Sequence, residues 1–171
     1  KSNSIDVFAY AYADIRGTKI GDATVGDITI GDVTITGNVS QSTVSISASQ
    51  CASNVSCGNA TVGDISYGDI TVVAGKTENV CIEAWQYAYA DKGDATVGDL
   101  SIGNVDVTVD ESGNLYLCMS ACASASSTGN ATIGDLTIGN IDVNAASCAD
   151  ACLYIYENAC APNGVASIGN V

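Results

Sequence analysis

The chain has 171 residues, 47% of them hydrophobic, and a formal net charge of −14 from 19 acidic and 5 basic side chains. The five cations, Lys1, Arg16, Lys19, Lys76 and Lys92, form no cluster that could neutralise phosphates; nucleic acid is excluded as a partner, and an anionic membrane would repel the chain. The absence of His excludes Ser-His-Asp and Cys-His catalysis, the single proline (Pro162) excludes collagen, and no apolar run reaches the ~20 residues of a membrane-spanning helix.

Residues 5–13 open the series of predicted elements. Ile5, Val7, Ala9, Ala11 and Ala13 alternate with Asp6, Phe8, Tyr10 and Tyr12, the two-residue period of a strand. Residues 21–35 then read GDATVGDITIGDVTI, three pentapeptides of the form G-[DN]-x-[TSD]-[VIY]. A five-residue period cannot keep register on a two-residue pleat. Each pentapeptide is therefore read as a short strand and a bend: Ile28 and Ile30 point one way, Thr29 the other, and Gly31-Asp32 turns the chain so that the next apolar pair returns to the core.

The pattern recurs at residues 58–72 (GNATVGDISYGDITV), 93–107 (GDATVGDLSIGNVDV) and 129–143 (GNATIGDLTIGNIDV), with starts 37, 35 and 36 residues apart. A partial fifth core lies at 165–171. Alternating segments connect the cores at 80–90, 115–123 and 149–156. Val80, Ile82, Ala84, Gln86, Ala88 and Ala90, for example, interleave with Cys81, Glu83, Trp85, Tyr87 and Tyr89. The Ala-rich stretch 145–161 would also suit a helix, with Cys148 and Cys152 four apart, but its Tyr-x-Tyr alternation favours a strand. The expectation is an all-β single domain of four tandem repeats, with β-arch or β-solenoid-like sheets. Because each array breaks after three pentapeptides, arches joined to longer strands fit better than a quadrilateral solenoid.

The eight cysteines, Cys51, Cys57, Cys81, Cys118, Cys122, Cys148, Cys152 and Cys160, all lie between the cores. Their even number in a small acidic chain reads as disulfides formed in an oxidising compartment, hence a secreted protein. A first residue other than Met agrees with a removed leader. Cys118 and Cys122 would lie ~13 Å apart along a strand, beyond the ~7 Å a bridge allows; each needs a partner on another strand or chain. The bend residues Asp27, Asp64, Asp99 and Asp135 have two readings. They can cap their own turns, or, stacked ~4.8 Å apart, draw a hard cation such as Ca²⁺. No cofactor is otherwise expected, and recurrence of the aspartates in every copy suits a scaffold better than an active site. Thr columns (Thr24, Thr29, Thr34; Thr61, Ser66, Thr71) suggest a hydroxyl face, whose regular Thr array is interrupted by Ser66, Ser101, Asp106 and Asp142. N-x-S/T sequons occur at Asn38, Asn54, Asn59 and Asn130.

Acidity, many cysteines, strands rich in Ala, Val, Ile, Gly and Tyr, and repeats such as GDATVGDITIGD and GNATIGDLTIGN together make a chain that resembles the proteinaceous cell-sheath subunits of filament-forming methanogenic archaea. The resemblance implies an amyloid-like β-arch protein that polymerises with itself into hoops, is cross-linked by disulfides, and encloses cells in a tube. The chain departs from a pure repeat array. The expected function is a non-enzymatic subunit of a sheath, surface layer or filament in the extracellular envelope, joined through the strand edge at Val165, Ile168 and Val171. The competing reading is a monomeric solenoid that binds ice or another surface; it would need end caps or blunted edges.

Overall fold

The computed structural model describes residues 4–17, 20–37 and 42–171, and among these every regular element is a strand. Lys1, Lys19 and the Asn38 sequon lie outside the described residues. The first pentapeptide of each core forms a three-residue strand: β2 (Ala23–Val25), β6 (Ala60–Val62), β9 (Ala95–Val97) and β12 (Ala131–Ile133), with β15 (Ala166–Ile168) from the partial core. The second forms β3 (Ile28–Ile30), β7 (Ile65–Tyr67), β10 (Leu100–Ile102) and β13 (Leu136–Ile138). In three of the four cores the third pentapeptide is not separate: it runs on into the connecting segment, giving β8 (Ile70–Lys92), β11 (Val105–Thr128) and β14 (Ile141–Cys160). In the first core the described residues on either side of 38–41 form β4 (Val33–Gly37) and β5 (Ser42–Cys57), and β1 (Ile5–Ile15) precedes them all.

Equivalent strands stack in parallel and in register. One sheet has the order β15-β12-β9-β6-β2, a second β13-β10-β7-β3, and the third β1-β5-β8-β11-β14, with β4 on β8. The chain thus winds as a β-solenoid of about four coils, each lying on the one before it. Near-identical repeats favour this arrangement because stacking in register places each side chain on its own counterpart, Val62 on Val97 and Leu100 on Leu136.

Within a coil the long strand doubles back. In β8 the buried residues are Ile70, Val72 and Ala74, then Thr77, then Val80, Ile82, Ala84, Gln86, Ala88 and Ala90; burial changes phase across the arc at 75–79. The returning half lies over the triplets. Ile65, Tyr67, Ile70 and Val72 pack with Val80, Ile82 and Ala84 in one cluster, and Ala60 and Val62 with Ala88 and Ala90 in another. The sheet of small Ala-x-Val triplets meets the alanine end of the long strand, so that end of the core is thin. At the wider end Tyr67 spans the core, and its hydroxyl donates to the Glu83 carbonyl at 2.8 Å. The fold is thus a stack of β-arches, as the broken arrays imply.

Candidate assembly surfaces

The bends carry the most regular polar feature. Asp27 Oδ1 accepts from the backbone N–H of Asp64 at 3.0 Å, Asp64 from Asp99 at 2.8 Å, Asp99 from Asp135 at 2.8 Å, and Asp135 from Asn170 at 2.7 Å. Two parallel columns repeat the device, one through Asp22, Asn59, Asp94 and Asn130, the other through Asp32, Asp69 and Asn104. Of the two readings, capping of its own turn is corrected: each aspartate accepts from the backbone N–H of the next coil's bend, which register stacking brings to it. In the side columns Asn alternates with or succeeds Asp, which dilutes like charge at ~4.8 Å spacing. The Asp27 column is acidic through four coils. Each carboxylate gives one oxygen to the next coil, and among the described residues no three potential metal ligands converge.

Glycine precedes these residues for a steric reason. A Cβ at Gly63 would overlap Asp27 Oδ1, one at Gly98 would overlap Asp64 Oδ1, and one at Gly134 would overlap Asp99 Oδ1. The stacked coil underneath forbids a side chain. At Gly26 and Gly31, in the first coil, a Cβ would meet nothing within 4 Å.

The outward face of the long-strand sheet holds most of the cysteines and most of the aromatic residues. Phe8, Tyr10, Tyr12, Trp85, Tyr116, Tyr154 and Tyr156 are exposed there, and Tyr10–Tyr12, Trp85–Tyr87 and Tyr154–Tyr156 stack along their strands. All eight cysteines are free thiols and none is buried. No two of them are register partners: Cys81 lies between Ser45 and Tyr116, Cys118 between Glu83 and Tyr154, Cys122 between Tyr87 and Asn158. The nearest relations are diagonals, Cys81 to Cys118, Cys118 to Cys152 and Cys122 to Cys160, each one strand over and two residues along. A strand spacing of ~4.8 Å and a two-residue rise of ~6.6 Å put such Cα atoms roughly 8 Å apart, outside disulfide reach. Burial, with the Glu83 carboxylate 3.2 Å away and Cys118 nearby, pushes the Cys81 thiol up to about 12.

Two glutamines that alternation places on an aliphatic face are wholly buried. Gln50 Nε2 donates to Gly26 O at 2.6 Å, and Gln86 Nε2 to Gly63 O at 2.7 Å and to Gln50 Oε1 at 3.2 Å. Asn54 is likewise enclosed, with its amide on Gly21 O and Asn59 O, so that sequon is closed in the folded chain. The Asn59 and Asn130 sequons sit exposed at bends. The sequence signal for the glutamines was the phase of the alternation itself; their role as donors to bend carbonyls has no local signature.

In the last coil the apolar positions are less covered than in the inner ones. Ile141 is 40% exposed where its counterpart Ile70 is fully buried, and Leu153 is 51% exposed where Ile82 is fully buried. Together with Val143, Leu115 and Leu117 they line an apolar groove between the two halves of the arch. Val165, Ile168 and Val171 are exposed, and among the described residues β15 pairs with β12 alone. Among the described residues no helix is long and apolar enough to cross a membrane. The geometry stands without a known relative beside it: no family model, curated protein or solved structure matches the chain.

Proposed function

We propose that this chain is a non-enzymatic structural subunit of an extracellular sheath, surface layer or filament, which grows with copies of itself by laying coil on coil. The observation that carries the reading is the in-register stacking itself: successive coils bury the same apolar positions against one another, and Ile141 and Leu153 present those positions again at the last coil. An edge of unpaired strands over an open core is an aggregation hazard in a monomer and a joint in a polymer. The opposite edge complements it. Asn170 offers the next acceptor of the bend ladder, and the first-coil residue Asp27 offers a backbone N–H of the kind that Asn170 would receive. Gly26 has the side-chain-free form that an underlying coil requires, although among the described residues nothing lies within 4 Å of where its Cβ would be. Between stacks, thiols that find no partner in their own coil would form disulfides across the aromatic face. That arrangement suits secretion into an oxidising space.

Gly26→Ala tests this. Gly26 has no positive φ and open space around its Cβ, so the variant folds as the parent does. A copy stacked beneath would be met by the new methyl group. In sedimentation velocity under reducing conditions, the parent chain should form large species and Gly26→Ala should remain small, with matching far-UV spectra. A parent chain that stays monomeric at every concentration, or a variant that grows equally well, would sink the reading.

A second reading rests on the outward hydroxyls of Thr24, Thr61, Thr96 and Thr132, aligned in register through four coils. Such a column suits a monomeric ice- or surface-binding solenoid. Thermal hysteresis from a monomeric sample would favour it.

A further inference from the structure

One column of the core is polar. Ala11, Gln50, Gln86, Ala121 and Glu157 occupy equivalent positions on successive long strands. The two glutamines donate to the bend glycine carbonyl of their own coil, and at 3.3 and 3.4 Å to the bend carbonyl one coil on. Register carries Glu157 to the equivalent bend, Gly134-Asp135, whose backbone also presents a carbonyl oxygen. A carboxylate has no proton to donate there, so oxygen would face oxygen. Glu157 Oε1 is indeed buried without a hydrogen-bond partner.

The surroundings do not compensate for the charge. Ala121, on the strand behind, brings no donor side chain. Asp135 is the charged group that acts on Glu157 from the packed bends, and it is of like sign. Gly169-Asn170, the bend one coil on, is neutral. Burial first, and Asp135 second, push the Glu157 carboxyl above its ordinary value of 4.5. If growth follows the register of the inner coils, the next residue in this column is Ala11 of the incoming copy. That residue also brings no donor, and it would complete the enclosure of Glu157.

We infer that Glu157 is a proton-operated latch on coil stacking. Its neutral carboxyl donates to the Gly134 carbonyl as Gln86 does to Gly63, and its ionised form opposes being covered. The proton comes from solvent and returns to it. The inference rests on growth by stacking. Well below the raised value of the uncovered chain the group is neutral whether covered or not, and it has no effect on growth. As pH rises through that raised value the uncovered form ionises, while the covered form, enclosed further by Ala11, resists to a higher pH. Stacking therefore weakens between the two values and is constant beyond the higher one.

The test compares the full chain with Glu157→Gln and Glu157→Ala, reading the critical concentration for growth by light scattering between pH 4 and 8 under reducing conditions. Glu157→Gln should grow at neutral pH from a concentration lower by about tenfold or more, and match the parent at pH 4. Glu157→Ala, which imitates Ala121, should show the same loss of pH dependence relative to the parent. Parallel pH profiles for parent and Glu157→Gln would overturn the latch. If no chain grows at any pH, the stacking reading fails, and the latch is judged on the monomer. A gap in unfolding midpoint between parent and Glu157→Gln that opens only above pH 4.5 supports it, and a gap that is constant with pH overturns it. Gln86→Glu, which puts a carboxyl in an enclosed place in the same column, calibrates the size of that gap.

Discussion

At the scale of single residues, the chemistry of this chain is governed by how far each polar group is withdrawn from water. Cys81 shows this clearly. The thiolate is the reactive form in alkylation and disulfide exchange. Burial and the Glu83 carboxylate hold this thiol neutral far above neutral pH. Its alkylation should therefore be slow at pH 7 and rise about tenfold per pH unit up to at least pH 10, as the thiolate fraction does. Glu83→Gln should speed it by removing the neighbouring charge, while leaving the larger contribution of burial in place. Site-resolved mass spectrometry of iodoacetamide adducts measures both effects. A Cys81 that saturates by pH 9 would show that its surroundings are wetter than the packing implies. Tyr67 is governed by the same withdrawal. Its hydroxyl, deep in the core, is tolerated because it reaches the Glu83 carbonyl.

The working element is the bend ladder rather than the single strand. Each Gly-Asp or Gly-Asn pair supplies two requirements of stacking: a backbone with no Cβ where the coils meet, and an oxygen for the next coil's N–H. The oxygen needs no charge, since Asn59, Asn104 and Asn130 serve equally. Asp64→Asn should therefore keep the bond to Asp99 and relieve repulsion from Asp27 and Asp99, giving a neutral to slightly stabilised protein, by up to about 1 kcal/mol at low salt. Asp64→Ala removes the acceptor and should cost about 1–2 kcal/mol. Urea unfolding at two salt concentrations checks the pair. An Asp64→Asn variant as unstable as Asp64→Ala would mean that the column needs its charge, as a bound cation would require.

For the molecule as a whole, stability is distributed along the stack. β8 and β11 are paired on both sides along nearly their whole length, whereas β14 pairs on one side and carries exposed apolar residues. A stack whose units touch only their neighbours opens from its ends. Native-state hydrogen exchange of the monomer should show the amides of Val80–Ala90 among the slowest and those of β14 exchanging well before them. In assembled material the β14 amides should gain protection. Uniform exchange across the coils would mean that the stack opens as one cooperative unit.

The division between sequence and structure follows from the range of each interaction. Strands, their two faces and their bends are encoded over two to five residues. The alternation of residues 80–90, the apolar pairs of each triplet and the Gly-Asp bends were therefore legible, as was the stepwise repeat behind the all-β stack. What lies beside a residue in this fold is 35 to 39 positions away. The offset between Cys81 and Cys118, the gift of Asp27 to Asp64 rather than to its own turn, and the likeness of Glu157 to Gln86 all depend on that lateral register. Merging of the third pentapeptide with the connecting strand depends on it too. The ladder hydrogen bonds continue through the arc, supplied by the neighbouring coil rather than by anything local.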